Sequence, residues 1–394
     1  MFDTRAVTFV NAMVVGDEGR LFDSLSIRRG RVAALGSSPR RGDVVVDLEG
    51  SIVLPGLINA HDHLELNSFR RLKWRDRYLN VREWIADFQP RFADDPELAL
   101  ARPDTLSDRV WVGGLKNLLA GVTTVCHHNP VHAPLRRRFP VRVLRRFGLS
   151  HSLQIDGDAV ATSYARTPTA WPWIIHAAEG VDAEARDEVD TLDRLQCLGA
   201  NTVIVHGVAV DRARAERILA KGGALVWCPS SNAFLFDRTA EVEPFDRAGR
   251  LALGTDSRLS GERDLLDELR AAMRSRQLSA ERLFRSVSSH AATLLRISSA
   301  GRLRAGQPAD IAVLQRLHDD PYTSLVASAR EHVRLTMIDG MPLIGDAGLR
   351  RVFEARGQRW AAALVDGRPR VLAQWIARRV SRLALTEPGF ELVA

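Results

Sequence analysis

Short apolar runs, several of them ending in a polar residue, recur from residue 55 to about residue 300 with helical patterns between them. The runs are 122–126, 149–155, 173–177, 202–208, 224–228 and 251–254. Segments 183–198 and 211–221 carry helical spacing and end at Gly199 and at Gly222-Gly223, both suited to C-caps. Parallel strands need long crossovers, and helices supply them. This alternation therefore predicts a parallel α/β sheet, with a closed barrel as the expected form.

The two chain ends read differently. Residues 1–54 predict short strands and turns, with a turn at Arg29-Gly30 and a strand at 44–48. The segment is too small for a separate core. After residue 300, GRLRAGQPADIAVL reads as turn then strand, and VRLTMIDGMPLI as a hairpin around Asp339-Gly340. The expected organisation is one small β domain built from 1–54 and 301–394, beside a barrel at 55–300. Leu372, Trp375, Ile376, Val380 and Leu383 share one face of the tail, with Arg378, Arg379 and Arg382 off it. Such a C-terminal helix at 371–385 is expected to dock on its own barrel or on a sister subunit, not on a membrane.

A net charge of +7 and a pI near 10.0 raise nucleic-acid binding as a question. Only positions 73, 116 and 221 are lysine; the other 52 of the 55 basic residues are arginine, and 48 acidic residues are interspersed. That skew reads as codon bias, and clusters such as Arg136–Arg138 with Arg145-Arg146 as solvated faces. No nucleic-acid partner is expected. No run approaches the ~18 apolar residues of a membrane helix. Three cysteines without a C-x-x-C pair, and no secretory leader pattern, fit a cytoplasmic protein.

The chemistry is carried by polar residues at the ends of the apolar runs. In PGLINAHDH, His61 and His63 are separated by one residue. In an extended strand both point to the same side and can converge on one metal ion. His176, His206 and Asp256 end three further runs. These are positions where an α/β barrel assembles its active site. Four histidines and an aspartate there are hard to explain as packing, because buried polar groups need partners. A divalent cation is the expected partner, zinc or alternatively iron.

These motifs resemble the amidohydrolase superfamily. The resemblance rests on PGLINAHDH at 55–63, GVTTV at 121–125, HAAE at 176–179, VHGV at 205–208, CPSSN at 228–232, GTDS at 254–257 and GRLRAGQPADIAVL at 301–314. The branch is that of the mononuclear cytosine and guanine deaminases and the triazine or chloro-hydrolases. It implies a distorted (β/α)8 TIM barrel with a small β-sandwich domain formed by both chain ends. It also implies one metal ion held by His61, His63, His176 and Asp256, with His206 beside the metal-bound water and Glu179 moving protons. Binuclear relatives use a carboxylated lysine on the fourth strand, and no lysine lies between Cys126 and His176.

The expected function is metal-dependent hydrolysis of a non-peptide carbon–nitrogen bond, with Glu179, His206 and Asp256 as catalytic residues. The preferred reaction is deamination of a cyclic amidine or guanidine-like heterocycle. The alternative is ring opening of a cyclic amide, and a non-catalytic metal-binding or nucleic-acid-interacting protein is the rival from another class. Candidate substrate contacts are Glu65, Arg70, His128 and Asn232. Phe69, Trp74, Trp84 and Phe88 in segment 66–100 suggest a lid. A homodimer is the expected assembly. The stretch from Asp156 to Pro172 must supply a shortened fourth strand–helix unit, and Asp62 stands where threonine is frequent in relatives.

Overall fold

The computed structural model describes residues 6–91, 98 and 105–393. Part of the expected lid segment, 92–97 and 99–100, lies outside the described residues, as do residues 1–5 of the N-terminal segment.

Parallel strands dominate the middle of the chain. Leu57–Asp62 pairs with Val122–His127, which pairs with Arg142–Val143. A second sheet orders Gly148–Ser152, Trp173–Ala177, Thr202–His206, Ala224–Trp227 and Leu251–Leu253. Helices Ala183–Arg194 and Arg212–Ala220 form two of the crossovers, capped by the Asp182 and Asp211 carboxylates, which accept from the Ala185 and Arg214 amides. Trp173, Ile175, Ile204, Leu225, Trp227 and Leu253 bury completely in one core. Burial of each such side chain is worth roughly 1.5–3 kcal/mol.

The described strands form parallel sheets, as expected, but their ladders do not close into one continuous barrel. Only Leu144 to Phe147 separate the strand segments Arg142–Val143 and Gly148–Ser152. Parallel neighbours need a crossover of about a dozen residues. The two segments are therefore one pass, which pairs first with Val122–His127 and then with Trp173–Ala177. The crossover before this pass holds a single 3-10 turn, Ala133–Arg136. The Asp156–Pro172 stretch forms helix Ala159–Arg166 but no strand. The described residues thus make seven passes, the third changing partner partway along.

The sheets also meet at a second seam. Thr255 and Asp256 donate their amides to the His61 carbonyl at 2.9 and 3.1 Å, beside a parallel bridge between Asp62 and Asp256. Gly254 permits this approach, since a Cβ there would lie 2.8 Å from the His61 amide nitrogen. The seam puts the ends of the first and last strands side by side. No continuous closed barrel of hydrogen-bonded ladders exists among the described residues.

Both chain ends build the β region. Ile311–Leu314 runs antiparallel to Ile52–Pro55, which also pairs with Met13–Val15, inside a nine-stranded sheet. Strand Ile52–Pro55 thus straddles the boundary drawn at residues 54 and 55. A four-stranded sheet faces it, with Val7, Phe9, Leu25 and Ile27 packed against Ile311, Val313, Leu335 and Met337. The hairpin turns at Asp339 and Gly340, whose φ values of 51° and 68° suit a type I′ turn.

The tail helix is shorter than its amphipathic pattern, because Leu372 belongs to strand Arg368–Ala373 and only Gln374–Val380 is helical. Its buried Ile376, Ala377 and Val380 dock on the protein's own helix Leu106–Leu119, through a cluster with Trp111 and Leu115. No helix among the described residues is long and apolar enough to cross a membrane.

Candidate metal centre

Strand ends place the five expected donors together. His61, His63 and Asp256 each offer a ligand atom within 4.8 Å of the others, and so do His61, His176 and His206. His63 Nε2 and His61 Nε2 lie 3.6 and 3.8 Å from Asp256 Oδ1. His176 Nε2 lies 3.2 Å from His61 Nε2. All five residues are buried. Ala178, His206 and Asp256 hold φ of 55°, 74° and 52°, a left-handed conformation unusual for residues with a Cβ. Such strain concentrates at functional sites, where it aims side chains that a regular strand end would turn away.

The surrounding hydrogen bonds fix which nitrogen is bare. The Ser150 carbonyl accepts from His128 Nε2 at 3.1 Å, so that nitrogen carries the hydrogen. The neutral His128 ring then accepts at Nδ1 from His61 Nδ1, 3.2 Å away. His61 Nε2 is left as a lone pair aimed into the cluster. His206 Nδ1 donates to Asn232 Oδ1 at 2.8 Å, which leaves its Nε2 bare as well. Asp256 accepts from Ser231 and Ser260 at Oδ2, at 2.8 and 2.9 Å, and keeps Oδ1 for the cluster. Burial and the neighbouring imidazoles push the basicity of His61 and His176 well below the ordinary histidine range. Unprotonated imidazoles around a carboxylate oxygen fit a divalent cation such as zinc or iron.

Glu179 stands across from His206, its Oε1 3.5 Å from Nε2. Burial, then Asp256, then Glu188 push its carboxyl well above the usual range. A carboxyl group so placed holds a proton that it can give away.

A cavity of about 340 Å³ opens on these residues, lined by His63, His176, Glu179, His206 and Asp256 together with apolar Trp84, Phe88, Leu235 and Leu259. Trp84 and Phe88 stack with ring centroids 5.1 Å apart on helix Val81–Phe88, at the cavity wall. Of the aromatics in the lid segment, Phe69 is instead buried with Leu72 and Leu259.

The four sequence-derived substrate contacts fall elsewhere. Glu65 accepts a short hydrogen bond from Asn129 and faces His127 Nδ1 at 3.6 Å, buried off the cavity wall. A buried carboxylate needs such partners, and these hold it. Arg70 is exposed and outside the lining. His128 and Asn232 sit behind His61 and His206 and orient them. Asn129 and His151, in contrast, line the cavity.

Sequence reasoning missed the polar floor of the site. Asp62, noted only as a departure from relatives, accepts from Lys116, Asn67, Asn117 and Asn59 at 3.3, 2.7, 2.7 and 3.1 Å. Asp62 and Lys116 are fully buried. The signal was a lone lysine inside the apolar helical pattern 106–119, which demanded a buried partner.

Residues 172–343 match the amidohydrolase family. The chain resembles the amidohydrolases. It is 27% identical to a 5-methylthioadenosine/S-adenosylhomocysteine deaminase of Halobacterium salinarum, over 84% of this chain and 90% of that one. A similarly named enzyme of Natronomonas pharaonis is 28% identical over 86% and 92% of the two chains. Among solved structures, a zinc-bound adenosine deaminase from Xanthomonas campestris aligns with a TM-score of 0.71 at 18% identity, covering 89% of this chain and 98% of that one. A triazine hydrolase described as from Arthobacter aurescens aligns at 0.70 and 19%, covering 90% and 99%. At these identities the two structures speak for the fold alone. The amidohydrolase likeness inferred from the motifs therefore recurs in both sequence and architecture.

Proposed function

We propose that this protein is a metal-dependent aminohydrolase, releasing ammonia from an amidine-type carbon of a nitrogen heterocycle. The observation that carries this reading is the pair of three-donor groups that share His61, one with His63 and Asp256 and one with His176 and His206, with the Glu179 carboxyl beside His206. Relatives named as deaminases of adenosine derivatives support it and point to a purine-like substrate.

His61, His63, His176 and Asp256 would hold the cation, zinc in this reading and iron as the alternative. When bound, a divalent cation supplies Lewis acidity that makes water a nucleophile near neutral pH. Asp256 Oδ1 accepts the water's proton, while the Ser231 and Ser260 hydroxyls hold its other oxygen. Glu179 gives its proton to the ring nitrogen next to the reacting carbon, and a proton then passes to the leaving amine. His206, fixed by Asn232, presents its bare Nε2 as an acceptor that can hold the attacking water's hydrogen and orient it. Water and amidine are consumed; a carbonyl and ammonia result. Trp84 and Phe88 form an apolar wall suited to a planar ring.

The reading extends to a distorted (β/α)8 TIM barrel around the site with a small β-sandwich domain from both chain ends, and to a cytoplasmic homodimer. Three buried free cysteines suit a reducing compartment.

Ammonia release across adenosine, methylthioadenosine, other nucleobases and triazines tests the proposal, with Asp256→Asn as control. Ammonia formed only by the unaltered protein supports it. Carboxylate production without ammonia, from cyclic amides, would replace it with ring opening.

A further inference from the structure

Where the crossover before the third pass lacks a helix, a second and larger cavity opens, about 690 Å³. Its apolar surface comes from Phe139, Leu144, Trp171 and Ile297. Six arginines line it, at 137, 138, 142, 145, 146 and 296, and no aspartate or glutamate does. Elsewhere some arginines of this chain share carboxylates: Arg214 and Arg217 share Asp190, and Arg258 and Arg330 share Glu387.

Around this cavity only Arg142 has carboxylate partners, Asp310 and Asp339. Arg138 lies over the Trp375 ring at 4.1 Å, Arg145 donates to the Leu135 carbonyl at 3.4 Å, and Arg296 donates to the Ala200 carbonyl. The other five arginines of the lining have no carboxylate partner among the described residues. Like charges gathered over an apolar floor repel one another, and a polyanion removes that cost. Arg137, Arg138, Arg145 and Arg146 are exposed, as a solvated face requires, yet they border one concavity.

We propose that this cavity binds a small molecule carrying two or more phosphate groups on a planar body, a nucleoside di- or triphosphate by class. Forked guanidiniums grip phosphate oxygens in pairs, and Trp171 and Phe139 offer faces for the ring. The volume exceeds what a single inorganic anion fills, and lies within the range of ligand pockets. The site is separate from the metal centre, since the two cavities share no lining residue.

Calorimetric titration of the full chain with inorganic triphosphate, ADP, ATP and adenosine, at fixed salt, tests the proposal. Saturable binding of ATP and ADP is expected, weakened at least tenfold in an Arg137→Ala/Arg146→Ala protein. Both side chains are exposed, so that protein retains its fold. Glu179→Gln is expected to bind like the unaltered chain. Absence of saturable binding by any phosphate compound, or binding unchanged in the double variant, overturns the proposal. Loss of phosphate binding in His61→Ala, with the arginine variant unaffected, would place the anion at the metal centre instead. Tighter binding of a 20-nucleotide DNA than of ATP, with a steep salt dependence, would make the surface a nucleic-acid contact and reject the small-molecule site.

Discussion

His128 Nδ1 lies 3.2 Å from His61 Nδ1, and the Ser150 carbonyl holds the opposite side of the His128 ring at 3.1 Å. This chain of two hydrogen bonds sets the tautomer of His61 and aims its bare nitrogen at the other donors. Removing an outer partner of a metal ligand costs about 10–100-fold in metal affinity. His128→Phe should therefore weaken cation binding by about that factor. Competition against a chelator of known affinity reads it, and unchanged affinity would show that His61 needs no such support.

Glu179→Gln should retain the metal but lose about 10²–10⁴-fold in turnover, because the amide cannot deliver the proton a carboxyl can. Metal content by elemental analysis and the ammonia rate are measured on the same sample. A turnover near that of the unaltered chain would remove Glu179 from proton transfer.

Glu188 accepts from the Ala178 amide at 2.6 Å, just before Glu179. Burial, outweighing that hydrogen bond, pushes its carboxyl up to about 7. A group with a raised folded-state pKa binds protons more tightly in the folded chain. Its contribution is present below the unfolded value near 4.5 and lost as pH rises through about 7. The range involved is roughly 3 kcal/mol. Glu188→Gln keeps an acceptor for Ala178 and should flatten the stability profile between those pH values. Denaturant midpoints at several pH values test this, and an equally steep profile in the variant would contradict it.

Glu387 meets Arg258 at 2.6 and 2.9 Å and Arg330 at 2.6 Å, all three buried. Arg258 follows Asp256 by two residues and also donates to the Asn67 carbonyl, so the Glu387 pair ties the tail to the loops that follow His63 and Asp256. Breaking a buried ion pair from one side costs about 3–5 kcal/mol. Glu387→Ala should lower stability by about that amount, and Glu387→Asp should recover part of it. Thermal unfolding of both variants decides; a loss within ordinary surface-substitution size would mean water replaces the carboxylate.

Much of the site was legible because strand ends leave a local signature. An apolar run closing on His61, His176, His206 or Asp256 marks a polar group at one rim of a parallel sheet. The partners of these residues were not legible. Asn129, Ser150 and Ser260 come from loops and strand backbones with no periodicity that fixes their direction. Glu65 and Arg70 illustrate the limit: both follow H-x-H closely, yet Glu65 is held by Asn129 and neither belongs to the cavity lining.

The sequence by itself determined the donor types, their order and the alternation that makes a parallel sheet, since these follow from local period and from residue chemistry. Tertiary structure alone decided that the described strands make seven passes, that Asp62 and Lys116 form a buried floor, and that six arginines border one cavity whose lining holds no aspartate or glutamate. Those outcomes depend on groups up to a hundred or more residues apart reaching hydrogen-bond distance, such as Lys116 with Thr255 at 3.1 Å. Packing of the whole chain sets such distances, and no local pattern encodes them.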